Sequence, residues 1–576
     1  CLSALKHHDR AVAAFVMALR LKPDYADAHY SLGIALLRLG RNDDAVKAFA
    51  RAVAMEPGFA EAHNNLGLAL TALGRYREAV GAFEASLALQ TSARTFANLG
   101  AALHRLGREE ESIAAFERAL ALDPDLADTR AQKLYQERLI CLWTAGFGPA
   151  SLADLGVKGE AVRPFVMLPL DDAPARQRAR AERFSKGKFI QAEIAPFVRP
   201  ATPPGRLRIG YFSANFHDHA VMQMLARLLE LHDRARFEIH AYSYGPDSDD
   251  AMRRRVKGAV EAFHDARPLD DRATAQLARD HGIHIAVDLM GHTENARTEI
   301  FAYRAAPVQI AYLGYPGTMG AAFMDYLIAD PVVIPESAAG HYSENIVFLP
   351  GSYMPGDDRR EISPTAPTRA DMGLPERGFV FCCFNNSYKL SPTEFTIWMR
   401  LLREVKASAL WLNKPNSWAL RNLRNEALNH GVEPGRLVFA ERVGMAEHLA
   451  RHRLADLFLD TFGYNAHSTA SDALWAGLPL ITKPGRSFAA RVAASLLEAL
   501  GLPEMIADSE PAYERLALML ARDPEKLTAV RAKLWQLRQS SPLFDSARVA
   551  RHLESAYALA YGRYLRGEPA ADMHIT

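Results

Sequence analysis

The stretch Leu454-Ala-Asp-Leu-Phe-Leu-Asp-Thr-Phe-Gly-Tyr-Asn-Ala-His-Ser-Thr-Ala-Ser-Asp-Ala-Leu-Trp-Ala-Gly-Leu-Pro-Leu-Ile-Thr482 reads as strand, loop, helix and strand. Leu457 to Leu459 is a short apolar run, as expected of a strand buried on both faces. Phe462 to Ala466 has the composition of a turn. Ser468 or Thr469 can cap a helix, and Asp472 near its first turn suits the dipole. Ala473 to Ala476 propagates the helix, Gly477 stops it, and Leu478 to Thr482 supplies the next strand. Such a unit aims a helix N-terminus, with His467 and two hydroxyls, at the crevice beyond the strand ends. Open α/β sheets bind phosphates there. An ordinary strand–helix connection with ordinary caps reads the same, so the flanking sequence has to decide.

Upstream, 379–384, 409–412 and 437–439 read as strands and 393–405 as a helix. Downstream, 489–500, 512–521, 524–538 and 545–566 read as helices, the last ending the ordered chain. Residues 355–376 are a Pro/Asp/Arg-rich crossover with no room for a further domain. Before it lies a second alternation: strands at 206–213, 237–244, 283–289, 308–313 and 326–329, with an amphipathic helix at 221–231. Alternation of this kind predicts parallel sheets with helices on both faces. Pro200, Pro203, Pro204 and Gly205 form the linker into it. Residues 127–200 read as a helical bridge, in which Arg176 to Arg183 is a solvated helix face.

The first 126 residues repeat. Gly40, Gly74 and Gly107 recur at steps of 34 and 33, as do Leu32-Gly33, Leu66-Gly67 and Leu99-Gly100, and Phe49, Phe83 and Phe116. This is the period of the tetratricopeptide repeat, in which small residues let paired helices approach. Stacked pairs make a solenoid with a concave peptide-binding face. Asn65 and Asn98 hold equivalent positions on successive first helices, where stacked amides can hold a peptide backbone; helix-surface asparagines are the plain alternative. The expected organisation is therefore repeats at 1–126, a bridge at 127–200, an N-terminal lobe at 201–375 and a C-terminal lobe at 376–576.

Composition limits the function. Of 576 residues 49% are apolar, enough for sizeable cores, and the net charge of +1 without basic runs argues against a nucleic-acid surface. No apolar run is long enough to span a bilayer, so no membrane partner is expected. Cys1, Cys141, Cys382 and Cys383 show neither disulfide nor metal spacing, which fits a reducing, cytoplasmic setting. Cys1 stands inside a repeat, so the N-terminus is expected to be cut.

Four strand-end loops carry candidate chemistry. Asn215-Phe-His-Asp-His219 offers a histidine able to act as a general base. Asp288-Leu-Met-Gly-His-Thr293 follows another strand. Asn385-Asn-Ser-Tyr-Lys389 places a lysine that can neutralise a diphosphate. His467-Ser-Thr469 with Asp472 adds hydroxyls and a carboxylate able to take ribose hydroxyls. Asp247-Ser-Asp249 resembles a short acidic metal motif, but its Gly-Pro-Asp-Ser context reads as turn chemistry. No histidine pair has helical zinc spacing with a third ligand nearby, so no metal is expected.

Two doubly wound Rossmann-like lobes joined by one crossover resemble the GT-B architecture of nucleotide-sugar transferases. The repeats, then Tyr211-Phe-Ser-Ala-Asn-Phe with His219, Leu313-Gly-Tyr-Pro-Gly-Thr318, Phe323-Met-Asp-Tyr326, Tyr388-Lys389, His467-Ser-Thr with Asp472-Ala-Leu-Trp-Ala-Gly477, and Ser541-Pro-Leu-Phe544 together resemble the O-linked N-acetylglucosamine transferase family. The resemblance implies an inverting transfer of N-acetylglucosamine from UDP-N-acetylglucosamine to serine or threonine hydroxyls of proteins, without metal or other cofactor. It also implies roles by position. His219 matches the histidine proposed as base, with Asp288 the candidate for an alternative aspartate base; the donor's own phosphate is a third. Lys389 matches the lysine on the diphosphate. Asn386, Val443, Met445, His448, Arg451, His467, Ser468, Thr469 and Asp472 match the nucleotide side, and Thr293, Gly314 and His467 the sugar side.

The sequence departs from the animal members in lacking an inserted domain between the lobes, in placing Met445 where they have a lysine, and in its short repeat array. A plant branch transfers fucose from GDP-fucose on the same scaffold. Transfer of another sugar, and a repeat scaffold with a degenerate transferase domain, are therefore the competing expectations.

Overall fold

Glycine spacing sets the first part of the chain. In the computed structural model, which describes residues 8–143, 152–189, 194–365 and 367–576, the chain divides into two units, Cys1–Glu137 and Arg138–Thr576. Cys1 lies outside the described residues, as do the bridge segments 144–151 and 190–193. The first unit contains the helix pairs Ala26–Arg38 with Asn42–Met55, Ala60–Ala72 with Tyr76–Leu89, and Ala93–Arg105 with Glu109–Leu122. A Cβ placed on Gly33, Gly67 or Gly100 would come within 2.6, 2.5 or 2.7 Å of the ring of Phe49, Phe83 or Phe116. Each phenylalanine therefore fills the space that its glycine leaves. Helix Ala127–Leu139 follows, with Gln136 accepting from the Ser112 hydroxyl at 2.7 Å, and the unit closes about ten residues beyond the expected boundary at 126.

This close packing has a direct consequence. Gly67→Ala forces the Phe83 ring from its site, and overpacking of this kind costs about 1–3 kcal/mol. Urea unfolding of the variant is expected to show that loss; an unchanged midpoint would contradict the tight crossing.

The second unit holds two parallel sheets. The first contains β1 (Leu207–Ser213), β2 (Phe237–Ser243), β3 (Ala262–Asp265), β4 (Ile285–Asp288), β5 (Val308–Ala311), β6 (Tyr326–Ala329) and β7 (Asn345–Phe348). The second contains β8 (Val380–Cys383), β9 (Ala409–Asn413), β10 (Leu437–Ala440), β11 (Leu457–Leu459) and β12 (Leu480–Ile481). A last strand, β13 (Met573–His574), pairs with β7, giving the orders β13-β7-β6-β5-β4-β1-β2-β3 and β10-β9-β8-β11-β12. Strands such as β6 and β8 are buried along their whole length, which is why they read as unbroken apolar runs.

Several expectations need correction. β3 and β7 and helix Ser417–Asn429 were not foreseen, since short mixed segments carry little periodicity. The chain does not end with the helix at 545–566, because β13 follows it. Nor does this segment belong to the C-terminal lobe. Helix Ser546–Arg566 packs on the first sheet, with Tyr557 Oη 3.0 Å from Tyr211 Oη and Glu554 accepting from Asp233 N at 2.7 Å. An amphipathic pattern does not reveal which sheet it covers. The supposedly solvated face at 176–183 contains a fully buried Arg180, held by Asp171 at 2.6 Å and by the Leu155 carbonyl at 2.7 Å. Arg176 shares the same carboxylate.

The lobes lock together through polar groups. Ser495 Oγ donates to Asp330 Oδ2 at 2.7 Å, Arg491 Nε donates to the Val332 carbonyl at 2.7 Å, and Tyr353 meets Phe488 edge-on at 4.8 Å. No helix among the described residues is long and apolar enough to cross a membrane.

Candidate active site

The C-terminal lobe builds its site on a buried carboxylate. Asp460 follows β11 and is fully buried. Its Oδ1 accepts from Thr461 N at 2.8 Å and Ala466 N at 2.6 Å, and its Oδ2 from the Thr482 hydroxyl at 2.6 Å. Burial pushes its pKa up to about 7, against these hydrogen bonds. The carboxylate thus pins loop 461–467 at both ends. Asn385, just after β8, donates to Thr461 Oγ1 at 2.8 Å and accepts from Thr469 Oγ1 at 2.5 Å. One chain of bonds therefore joins the ends of β8 and β11 to helix Ser468–Trp475.

Lys389 occupies the 3₁₀ turn Ser387–Lys389. Its Nζ donates to the Asn465 carbonyl at 2.9 Å and stands 4.1 Å from the centre of the Tyr464 ring. Burial draws its pKa down to about 8, opposed by Asp460. His467 gives Nε2–H to the Ala489 carbonyl at 3.0 Å, and burial followed by the Lys389 charge holds it neutral. His467, rather than Ser468 or Thr469, occupies the N-cap position, and no side chain caps this helix. The Thr469 hydroxyl is committed to Asn385 instead. Among the described residues neither Ser468 nor Thr469 gives its backbone N–H to a protein carbonyl. Two N–H groups at a helix start, with the Lys389 ammonium bonded to the Asn465 carbonyl just ahead of it, can receive an anion.

The residues matched to the nucleotide divide in two. Asn386, Val443 and half-buried Met445 and His448 are accessible. Arg451 is not: it is 3% exposed, with Nη2 donating to His448 Nδ1 at 2.6 Å, Nη1 to the Glu441 carbonyl at 2.5 Å, and its guanidinium over Phe384. It orients His448 and offers no face to a nucleotide. With Nδ1 accepting from Arg451, the neutral His448 ring carries its proton on Nε2. Asp472 is also engaged by a protein partner. Its Oδ1 pairs with Arg360 Nη1 at 2.9 Å, and the carboxyl is 6% exposed, its pKa raised to about 6 by burial against the Arg360 charge. Arg360 comes from the crossover, so this pair docks the crossover on helix Ser468–Trp475 and leaves only Oδ2 for a ribose.

The N-terminal lobe contributes three strand-end loops. His219 is the N-cap of helix Ala220–Leu231, and its Nδ1 accepts from Val221 N at 3.2 Å. Burial lowers its pKa to about 4, with His217 and Arg442 pushing the same way and Asp218 opposing. Arg442 follows β10, so the two lobes meet closely enough here to act on each other. Because Nδ1 uses its lone pair on the backbone, the neutral ring carries its proton on Nε2 and is a donor there. Asp288 ends β4, buried, with Oδ1 accepting from Met290 N at 2.9 Å and Oδ2 from Gly291 N at 3.2 Å. Burial raises its pKa to about 6. It shapes the turn that carries Thr293, whose hydroxyl donates to the Met290 carbonyl at 2.8 Å. Gly314 lies against this turn; a Cβ there would sit 1.9 Å from the Leu289 carbonyl oxygen. Asp247 pairs with Arg253 and Arg267, and Asp249 with Arg254.

In the repeat unit Asn98 Nδ2 donates to Asn64 Oδ1 at 3.1 Å and Asn65 Nδ2 to Tyr30 Oη at 2.9 Å. The amide row therefore includes Asn64, which the reading from equivalent positions passed over. Asp460, Arg360 and Arg442 were also missed as site residues. Asp460 did leave a signal, a carboxylate directly after an apolar strand.

The chain is similar to known proteins. The model of glycosyl transferase family 41 matches residues 184–364 and 359–553, and tetratricopeptide repeat models match 2–52, 30–94 and 93–126. A probable UDP-N-acetylglucosamine–peptide N-acetylglucosaminyltransferase of Arabidopsis thaliana is 36% identical over 426 residues, covering 71% of this chain and 43% of the relative. The UDP-N-acetylglucosamine–peptide N-acetylglucosaminyltransferase of Caenorhabditis elegans is 30% identical over 484 residues, covering 64% and 42%. The chain thus spans less than half the length of these curated relatives. A solved structure of a lysine-to-methionine mutant of the Thermobaculum terrenum O-GlcNAc transferase aligns over 94% of this chain and 98% of its own, with a TM-score of 0.69 and 27% identity.

Proposed function

Since the chain belongs to glycosyl transferase family 41, we propose that it transfers N-acetylglucosamine from UDP-N-acetylglucosamine, with inversion, to serine or threonine hydroxyls of proteins. The observation that carries this reading is the anion site formed by Lys389 and the N–H groups of Ser468 and Thr469. A new bond forms between the acceptor oxygen and the sugar C1 while the bond from C1 to the diphosphate breaks, and the acceptor's hydroxyl proton leaves to the donor's own phosphate or by way of Asp288. UDP leaves with added negative charge, which Lys389 and the helix start stabilise where it develops. His448 and the accessible residues around Val443 receive the base. His219, whose neutral ring carries its proton on Nε2, holds the sugar and acceptor in line rather than taking the proton. Protein acceptors approach along the repeats, where the amide row of Asn64, Asn65 and Asn98 can pair with a peptide backbone. The diphosphate is neutralised by protein groups, so no metal takes part.

Calorimetric titration tests donor class and metal use together. UDP is expected to bind equally with and without a chelator, and GDP to bind at least tenfold more weakly. Loss of UDP binding on chelation would overturn the metal-free reading, and a preference for GDP would point to the fucosyl branch. The free-enzyme pKa of Lys389, about 8, sets the pH dependence. The ammonium is charged below that value, so UDP affinity is expected to hold at neutral pH and to fall as pH rises above it.

A further inference from the structure

At the β3 edge of the first sheet three histidines from three elements converge. His240 in β2, His264 in β3 and His281 after helix Asp271–Asp280 each bring one ring nitrogen within 4.8 Å of the other two. His240 Nδ1 and His264 Nε2 are 3.1 Å apart. That is close to the edge of a tetrahedron, roughly 3.3 Å, built on metal–nitrogen bonds of about 2.0–2.1 Å. The His264 and His281 rings stack with centroids 4.3 Å apart.

The groups behind the rings are those that histidine ligands need. His240 Nε2 donates to Glu238 Oε1 at 3.0 Å, which leaves Nδ1 as a lone pair facing the cluster. A carboxylate behind a ligating histidine fixes its tautomer and raises its basicity. Tyr242 Oη lies 2.8 Å from His281 Nδ1, and its ring stacks on His264 at 4.7 Å. Arg208, a nearby cation, faces the other oxygen of Glu238 at 3.6 Å. His240 is buried, while His264 and His281 are half-buried, which leaves an entry from solvent.

We propose that His240, His264 and His281 bind one divalent transition-metal ion of the zinc class, with Glu238 as the supporting carboxylate. The ion takes the place of the proton that His264 Nε2 holds toward His240 Nδ1, that proton moving to His264 Nδ1 through solvent, and ties β2, β3 and the segment entering β4 together. Solvent completes a tetrahedral shell. The site is separate from the cleft, and the transfer reaction proposed above does not use it. Sequence spacing conceals it because no two of the ligands share an element.

The test uses the full chain, stripped with a chelator, desalted, mixed with zinc chloride and passed through gel filtration before metal is counted by elemental analysis. Wild type is expected to retain one zinc per chain and to gain thermal stability with it. His264→Gln and His281→Gln are each expected to weaken zinc binding at least tenfold, and Glu238→Gln roughly ten- to a hundredfold. UDP titration of the same variants reports whether the cleft is intact. Equal zinc retention by wild type and both histidine variants, or none by wild type, overturns the proposal. Should a variant fail to fold, cobalt(II) added to wild type decides. Intense visible absorption of a tetrahedral nitrogen site supports the assignment, and the weak bands of an octahedral ion overturn it.

Discussion

Lys389→Ala is expected to lower the transfer rate by roughly a hundredfold or more, the usual effect of about 3 kcal/mol for removing one preorganised stabiliser of developing charge. The lysine is held ready for this. Its Nζ is fixed by the Asn465 carbonyl at 2.9 Å and by the Tyr464 ring, so little reorganisation is needed when the diphosphate charge grows. Its charge is also poised. With a pKa of about 8 it is protonated at neutral pH, and an arriving diphosphate strengthens that state. Two readouts follow. The rate falls at neutral pH, and the alkaline decline of kcat/KM near pH 8 disappears because the group that caused it is gone. A variant with wild-type rate would remove Lys389 from the reaction. A variant that loses rate but keeps the alkaline decline would assign that decline to another group.

His219→Ala is expected to slow transfer by roughly ten- to a hundredfold at every pH, the equivalent of losing about 1.5–3 kcal/mol from a hydrogen bond to a charged or developing charge. Val221 N donates to His219 Nδ1 at 3.2 Å, so the neutral ring has its proton on Nε2 and gives rather than takes a hydrogen bond in the cleft. Its pKa of about 4 lies well below an ordinary histidine. An acidic inflection of the rate between pH 6 and 7 therefore belongs to another group. His219→Gln, which keeps an N–H donor, is expected to recover part of the loss. If His219→Ala abolishes the acidic inflection together with more than about four orders of magnitude in rate, histidine is the base after all. If Asp288→Asn moves the inflection while His219→Ala leaves it in place, the proton leaves by the aspartate.

The two-lobed fold was legible because buried parallel strands write themselves as unbroken apolar runs. β6 and β11 fall where those runs stand, at Tyr326–Ala329 and Leu457–Leu459. The repeats were legible because Gly33, Gly67 and Gly100 must stay small against phenylalanine rings. What remained hidden depends on contacts between distant segments. Arg451 and Asp472 look like ligand-facing polar residues in sequence, yet each is buried by a partner many residues away or by an aromatic floor. The C-terminal helix carries an amphipathic pattern that suits either sheet, and only the Tyr211–Tyr557 and Asp233–Glu554 contacts assign it to the first. Asp460 carries the loop that places Lys389 and His467, but a lone aspartate after a strand has many ordinary uses.

The most direct test of the whole account is a transfer assay on the purified chain with UDP-N-acetylglucosamine or GDP-fucose and a mixture of serine- and threonine-containing proteins, read by mass spectrometry of the acceptors with a chelator present throughout. The account predicts N-acetylglucosamine on serine or threonine hydroxyls with UDP released in equal amount, and no product from GDP-fucose. Fucose on the acceptors, or tight binding of UDP with no sugar transferred to any acceptor, would contradict it.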